Sequence, residues 1–269
     1  MSIWTYNDAL ADKGVIATAL LAKDCVYCKT PMAVVEDDNQ KVDEGPSITT
    51  GVFESRLIRC CPVCGWWTSS RERDKNFGGT TRIDRYGATA CLRALSLTDQ
   101  SVSIEEIRSY LAAKYDTRFH VDPWKFEETV ASVYRDLGYR TRVTARSGDD
   151  GIDVVLDGPD DAPIGVQVKR YRNRIDVEQI RAFAGALYIN GITRGVFVTT
   201  SSFQSGAERT VAMAGLRGTA VELVDAERFY DALGIAQRNA YQNASDPSAP
   251  YYSAAEFHLD SHQFHHGVP

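Results

Sequence analysis

The clearest patterning in the chain lies between positions 147 and 170, SGDDGIDVVLDGPDDAPIGVQVKR. Two short apolar runs occupy 152–156 and 164–169; Asp153 interrupts the first, and Gln167 and Lys169 interrupt the second. Between them DGPDDAP carries the Asp-Gly, Gly-Pro and Pro signals that stop strands. The pattern predicts two β-strands joined by a polar turn. Successive strand side chains point to opposite faces, so Gln167 and Lys169 share one face and Val166 and Val168 the other. An acid, an amide and a lysine are therefore expected close together beside a valine-rich core.

Just upstream the period lengthens to that of a helix. Asp122-Pro-Trp-Lys-Phe-Glu supplies a capping acid and a first-turn proline. Phe126, Val130, Val133, Tyr134 and Leu137 then form a buried stripe that ends at Gly138-Tyr139. Glu127 stands at the edge of that stripe, where a carboxylate can reach the sheet. The run 139–145 (YRTRVTA) alternates as a strand. After Arg174 the pattern predicts a helix over 177–190, a strand over 195–199, a helix over 205–214, a strand over 219–223 and a last helix over 226–233. Thr199, Thr200 and Ser201 suit either phosphate contact or a strand-end turn.

The segment from Gly87 to Tyr115 reads as helical. Residues 88–97 are good helix formers, and Ser103 caps a stripe of Ile104, Ile107, Tyr110 and Leu111. These helices lack the basic face of a DNA-reading helix-turn-helix, so they are assigned as a connector. Cys91 falls within the segment and is expected as a small buried hydrophobe. Phe77-Gly-Gly marks a flexible boundary before it. At the other end, the chain from Arg238 is rich in Asn, Ser, Pro and Ala and reads as an extended arm or linker. His258, His262, His265 and His266 close it and suit metal binding or a packing arm.

With 269 residues, 43% hydrophobic and 25% charged, the chain has material for a core in one large or two small domains. No run approaches the roughly 18 uninterrupted apolar residues of a membrane span. The first residues lack a secretory layout, so a cytoplasmic location without membrane partners is expected. A net charge of −6 argues against coating nucleic acid through bulk charge. Local charge differs: between Gly165 and Arg181 five cations (Lys169, Arg170, Arg172, Arg174, Arg181) face two acids (Asp176, Glu178). That stretch is a candidate phosphate-contacting rim.

Cysteine spacing adds a second chemistry. Cys25-Val-Tyr-Cys28 and Cys61-Pro-Val-Cys64 are two Cys-x-x-Cys hooks, the pattern of a four-thiolate Zn²⁺ site. Four thiolates leave no open position for water, so such a site stabilises a module and does not catalyse. Cys60 can replace Cys61 as a ligand, but the spacing to Cys64 favours Cys61. The long insert between the hooks predicts a strand or hairpin over 48–59. Trp66 and Trp67 are expected to cover the metal in preference to stacking on bases.

Several motifs in register carry a family resemblance: Phe126-Glu127, Leu137-Gly-Tyr139, Gly148-Asp-Asp-Gly-Ile-Asp153, Gln167-Val-Lys169-Arg170-Tyr171, Phe183-Ala-Gly, Val198-Thr-Thr-Ser-Ser-Phe203 and Ala207. Over 119–233 the chain resembles the catalytic domain of the Mrr-like restriction endonucleases, within the PD-(D/E)xK nuclease superfamily. The resemblance implies an α/β fold with an αβββαβ core, a mixed central sheet flanked by helices. It implies that Asp153 binds Mg²⁺, that Glu127 completes the metal site from its helix, and that Lys169 is the motif lysine. Gln167 stands where many superfamily members have a second acid, and the Val168 carbonyl can supply a further ligand. The Asp149-Asp150 pair departs from the family's acid-then-glycine pattern; Asp149 is read as capping the strand start and Asp150 as a turn residue.

The expected organisation is a zinc-ribbon-like module over 1–86, a helical connector over 87–118, a nuclease domain over 119–235 and a C-terminal arm over 236–269. The expected function is Mg²⁺-dependent cleavage of DNA in restriction-type defence, with Arg170, Arg172 and Arg174 contacting nucleic acid. Double-strand scission needs two cuts, which points to a homo-oligomer, a dimer or higher. A junction-resolving or repair nuclease, and an inactive zinc-containing DNA binder, are the alternatives.

Overall fold

The computed structural model describes residues 3–8, 13–43, 51–77, 79–144, 151–157 and 162–244. The chain divides into two compact units: Met1–Ala94 with Tyr241–Pro269, and Leu95–Ala240. Among the described residues no helix is long and apolar enough to cross a membrane.

The first unit is built on β1 (Trp4–Asp8), α1 (Lys13–Leu21), β2 (Ala33–Asp43), β3 (Gly51–Cys60), β4 (Trp67–Phe77) and β5 (Thr80–Leu92). Its five strands form one antiparallel sheet in the order β1-β5-β4-β3-β2. The strand β3 lies where the insert between the cysteine hooks predicted one. Strand β5 overturns the expected helix over 88–97. Ala88 pairs with Ser69 on one side and Asp8 on the other, and Ala90 with Tyr6. Two flanking ladders outweigh the helix preference of a few alanines, which is a weak prior. Cys91 accordingly sits in a strand and is half-buried. Phe77-Gly-Gly is no boundary: Phe77 pairs with Thr80 across the β4–β5 hairpin, with Gly79 at φ 104°.

In the second unit only Ile104–Ala113 of the predicted connector helix is helical (α2), with Ser103 and Glu106 closing a capping box. A single 3₁₀ stretch, Tyr115–His120, leads to α3 (Pro123–Asp136), where Asp122 accepts from the Lys125 amide at 3.2 Å. The sheet follows as β6 (Arg140–Val143), β7 (Val154–Asp157) and β8 (Pro163–Lys169). Then come α4 (Val177–Ile189), β9 (Arg194–Thr199), α5 (Ala207–Gly215), β10 (Ala220–Val224) and α6 (Ala226–Asn243). Strand order is β10-β9-β8-β7-β6; β6, β7 and β8 run antiparallel to one another, and β8, β9 and β10 are parallel. This is the mixed sheet of the expected αβββαβ core. Helix α3 packs on β6, β7 and β8, and α4 on β9.

The core beneath α4 holds Ile152, Ile180, Phe183, Leu187 and Phe197. Gly165 is required there by close approach, since a methyl at that position would come within 2.6 Å of Leu187 Cδ2. Helix α6 runs ten residues beyond the expected stop at 233 and takes in the start of the predicted arm. Phe229, Leu233 and Ala236 are buried along it, and this continuous stripe carries the helix past Gly234. The four histidines of the tail, the Asp149-Asp150 pair and most of the turn over 157–163 lie outside the described residues.

Candidate active site and cysteine cluster

The predicted acid, amide and lysine lie on the adjacent segments where β7 and β8 part. Val154 is the register partner of Val166, yet the Asp153 amide also donates to the Val166 carbonyl at 2.8 Å. Two residues of one strand thus oppose one of the other, a bulge of the kind that re-aims a side chain. The next hydrogen bond of the ladder comes from a side chain: Asp153 Oδ2 accepts from the Val168 amide at 2.6 Å. On its far side Asp153 is fixed by β6, with its carbonyl accepting from the Thr144 amide at 3.0 Å. The residue is 7% exposed, so a carboxylate is buried here at the end of a strand.

Gln167 and Lys169 follow on β8. Gln167 pairs with Phe197 and Lys169 with Thr199. Gln167 is 8% exposed, and its carboxamide lies beside Gly151, whose φ of 83° brings the chain back toward it. Among the described residues the Gln167 side chain makes no hydrogen bond, and the Lys169 ammonium makes neither a hydrogen bond nor an ion pair. A buried amide left without a partner is an unspent oxygen donor. Its oxygen and the Asp153 carboxylate are donors of the type that suits a hard cation such as Mg²⁺.

Glu127 lies on the second turn of α3 and is half-buried. Its link to the group is the packing of α3 on β7 and β8. Val168 presents its amide to Asp153, and the same peptide chain carries the carbonyl expected as a ligand.

Beyond Lys169, the chain of Arg170, Arg172 and Arg174 is tied down by the end of β9. Thr199 Oγ1 donates to the Lys169 carbonyl at 3.0 Å, Thr200 Oγ1 to Tyr171 at 2.9 Å and Ser201 Oγ to Arg172 at 3.1 Å. These three hydroxyls therefore serve the strand-end turn, and their protons are spent on backbone. Arg170 donates to the Phe119 carbonyl, and the Arg172 guanidinium stands 5.3 Å from the Phe119 ring centre. Residue order alone gave no signal for Phe119, which reaches this segment from the 3₁₀ stretch.

In the first unit the two cysteine hooks close on one another. The sulfurs of Cys25, Cys28, Cys61 and Cys64 all lie within 4.8 Å of one another. Cys28 to Cys61 is 3.3 Å, Cys25 to Cys64 3.5 Å and Cys28 to Cys64 3.8 Å. Four sulfurs at about 2.3 Å from a tetrahedral ion sit roughly 3.8 Å apart, so the cluster is of the right size for Zn²⁺. The two knuckles are built alike: the residue after each second cysteine is left-handed, Lys29 at φ 61° and Gly65 at φ 80°. Each first cysteine donates its amide five residues on, Cys25 to the Thr30 carbonyl at 2.8 Å and Cys61 to that of Trp66 at 2.7 Å. Hydrogen bonds among the sulfurs hold the Cys28 and Cys61 thiols below the ordinary range and push those of Cys25 and Cys64 above it. Cys60 points elsewhere, its sulfur bonding the Tyr241 hydroxyl at 3.4 Å. Trp66 and Trp67 are 1% and 4% exposed, and Trp66 Nε1 donates to the Ala90 carbonyl at 2.8 Å, so both are core residues.

A family model described as "Restriction endonuclease", for the Mrr catalytic domain, matches residues 119–233. Residues 119–233 are a restriction-endonuclease-like domain of the Mrr type. The type IV methyl-directed restriction enzyme EcoKMrr of Escherichia coli (strain K12) is 36% identical over 113 residues. That alignment covers 39% of this chain and 37% of the relative, so the likeness takes in well under half of either. Among solved structures, the ATP-dependent Type ISP restriction-modification enzyme LlaBIII bound to DNA is similar at 16% identity and a TM-score of 0.30, over 46% of this chain and 8% of that one. A repair endonuclease from Pyrococcus abyssi is similar at 14% identity and a TM-score of 0.26, over 72% and 85%. Likeness at that level says nothing about chemistry.

Proposed function

We propose that the protein is a Mg²⁺-dependent DNA endonuclease of restriction type, carrying a structural Zn²⁺ module. The observation that supports this best lies at the parting of β7 and β8, inside the Mrr-type domain: a buried carboxylate and, among the described residues, a buried amide without a hydrogen bond and a lysine without an ion pair. In this reading Asp153, Glu127, the Gln167 carboxamide oxygen and the Val168 carbonyl hold the ion. When bound, the ion offsets charge on the phosphate and the leaving oxygen and eases deprotonation of the attacking water. Lys169 orients that water with its ammonium, which pairs with no carboxylate among the described residues. The water oxygen bonds to phosphorus, one bridging P–O bond breaks, and the departing oxygen takes a proton. Arg170, Arg172 and Arg174 hold the DNA backbone. Cys25, Cys28, Cys61 and Cys64 hold Zn²⁺ with no open position, which confines that ion to a structural role.

A single site cuts one strand, so scission of a duplex engages two copies, and a homodimer or higher oligomer acting in the cytoplasm completes the reading. The relative's name records methyl-directed restriction, so methylation is the first variable to test. The experiment incubates the protein with methylated, unmethylated and phage DNA, with and without Mg²⁺. Cleavage of plain or modified duplex that requires Mg²⁺ supports the proposal. Cutting confined to branched DNA identifies a junction-resolving or repair nuclease instead, and binding with no cutting of any substrate identifies an inactive DNA binder.

A further inference from the structure

Several arginines elsewhere in the chain are paired with acids. Glu54 takes Arg56, Arg71 and Arg73; Glu72 takes Arg85; Asp136 takes Arg108; Glu222 takes Arg228. Around Phe119 the opposite holds. Arg170 and Arg172 pair with no carboxylate among the described residues, and Arg118 has only Asp116, fully exposed at 3.6 Å, a contact that water screens. Instead these cations converge on one aromatic residue. Arg118 lies 4.2 Å from the centre of the Phe119 ring and Arg172 lies 5.3 Å from it, while Arg170 donates to the Phe119 carbonyl. Arg172 also approaches His120 Nε2 at 3.5 Å, and Arg118 Nε is anchored on the Thr200 carbonyl at 2.9 Å.

Gathering three guanidiniums with only one exposed acid among the described residues is unfavourable in an isolated protein, and the ring face offsets only part of that. The arrangement becomes favourable when an anion is added. It also begins one residue after Lys169, and the hydroxyls at the end of β9 keep its backbone in place.

We propose that Phe119 is a positioning residue that gathers Arg118, Arg170 and Arg172 into a bracket for a DNA phosphate adjoining the one cleaved. The proposal rests on the nuclease reading above and extends it: the rim is assembled from two elements, the 3₁₀ stretch and the segment after β8, and is organised by an uncharged ring. Arg118 and Phe119 thereby join the DNA-holding surface, beside the Arg170, Arg172 and Arg174 expected there from the sequence.

The test measures binding of a fluorescent duplex by anisotropy, with chelator present, over a range of sodium chloride concentrations. Phe119→Leu keeps most of the volume and loses the ring face. It is expected to weaken binding about fivefold to tenfold and to reduce the slope of log affinity against log salt by about one, the signature of one lost phosphate contact. Phe119→Tyr keeps the ring and restores both. An unchanged slope in Phe119→Leu, or an equal loss in Phe119→Tyr, overturns the proposal. If Phe119→Leu fails to fold by thermal melting, Arg172→Gln at an exposed position takes its place, and an unchanged slope there overturns the bracket equally. A wild-type protein that binds with the expected slope yet cuts no DNA with Mg²⁺ sinks the nuclease reading and leaves the bracket standing.

Discussion

Asp153→Asn separates chemistry from architecture at the candidate site, because in the proposed reading the wild-type carboxylate serves both. Its Oδ2 accepts the Val168 amide at 2.6 Å in a buried place. An asparagine oxygen can keep that bond and loses only its charge assistance, so stability is expected to fall by about 1 kcal/mol at most. Asp153→Ala leaves the Val168 N–H buried and unpaired, at about 1–3 kcal/mol. Cleavage should respond in the reverse proportion. Removing the charge that holds the ion forfeits several kcal/mol of transition-state stabilisation; a loss of about 4 kcal/mol is roughly a thousandfold in rate. The two variants should therefore be similarly inactive and differently stable. Metal binding is read separately from activity. Mg²⁺ at about ten times its dissociation constant stabilises the wild-type fold by about 1.4 kcal/mol, a rise in Tm of about 3–6 °C for a unit of this size. That rise should vanish in Asp153→Asn. Nicking and linearisation of plasmid DNA measure the first effect, and thermal melting with and without Mg²⁺ the second. If Asp153→Asn cuts within about tenfold of wild type, or its Tm still rises with Mg²⁺, Asp153 is not the metal carboxylate.

Elemental analysis under reducing conditions should find one Zn²⁺ per chain; Cys61→Ser should lose it and Cys60→Ser should keep it, and the reverse pattern would exchange the two residues. Glu54 is a second buried acid: burial alone would raise its carboxyl, but hydrogen bonds from Arg71, Arg73 and Arg56 outweigh this and lower it to about 2. A depressed value means that its stabilisation is present above the ordinary 4.5 and is lost as pH falls toward 2. Glu54→Gln should therefore cost about 3–5 kcal/mol at neutral pH, since three arginines lose their partner. Denaturant titrations should show the gap between the two proteins narrowing between those values, and a gap that stays constant with pH would refute the argument.

The second unit was legible because its signals are local and mutually consistent. Asp122, Pro123 and the stripe from Phe126 define α3, and the two valine-rich runs define β7 and β8 within one or two residues. The errors fall where distant partners decide. Ala88 and Ala90 favour a helix by composition, but both are buried in β5, and Ala90 offers its carbonyl to Trp66 twenty-four residues away. Small side chains were needed for packing there, and composition cannot tell that need from helix preference. The expected stop at 233 falls just before Gly234, but a buried stripe on both sides of that glycine outweighs one poor helix former. Neither the bulge at Asp153 nor the arginines around Phe119 has any signature in residue order, because both arise from how separate elements meet.

The bulge also accounts for the amide at position 167. Asp153 is already a buried carboxylate, so a second acid on the neighbouring strand would set two like charges in a poorly solvated place, and one of them would hold a proton at neutral pH. Gln167 offers an oxygen without that repulsion. In the proposed reading, an ion arriving between Asp153 and Gln167 has no shared proton to displace. An acid at 167 would add charge for the ion at the expense of a proton to remove first. Gln167→Glu should accordingly strengthen Mg²⁺ binding more at alkaline pH than at neutral pH. A gain that is independent of pH would show that the two side chains are too far apart to share an ion.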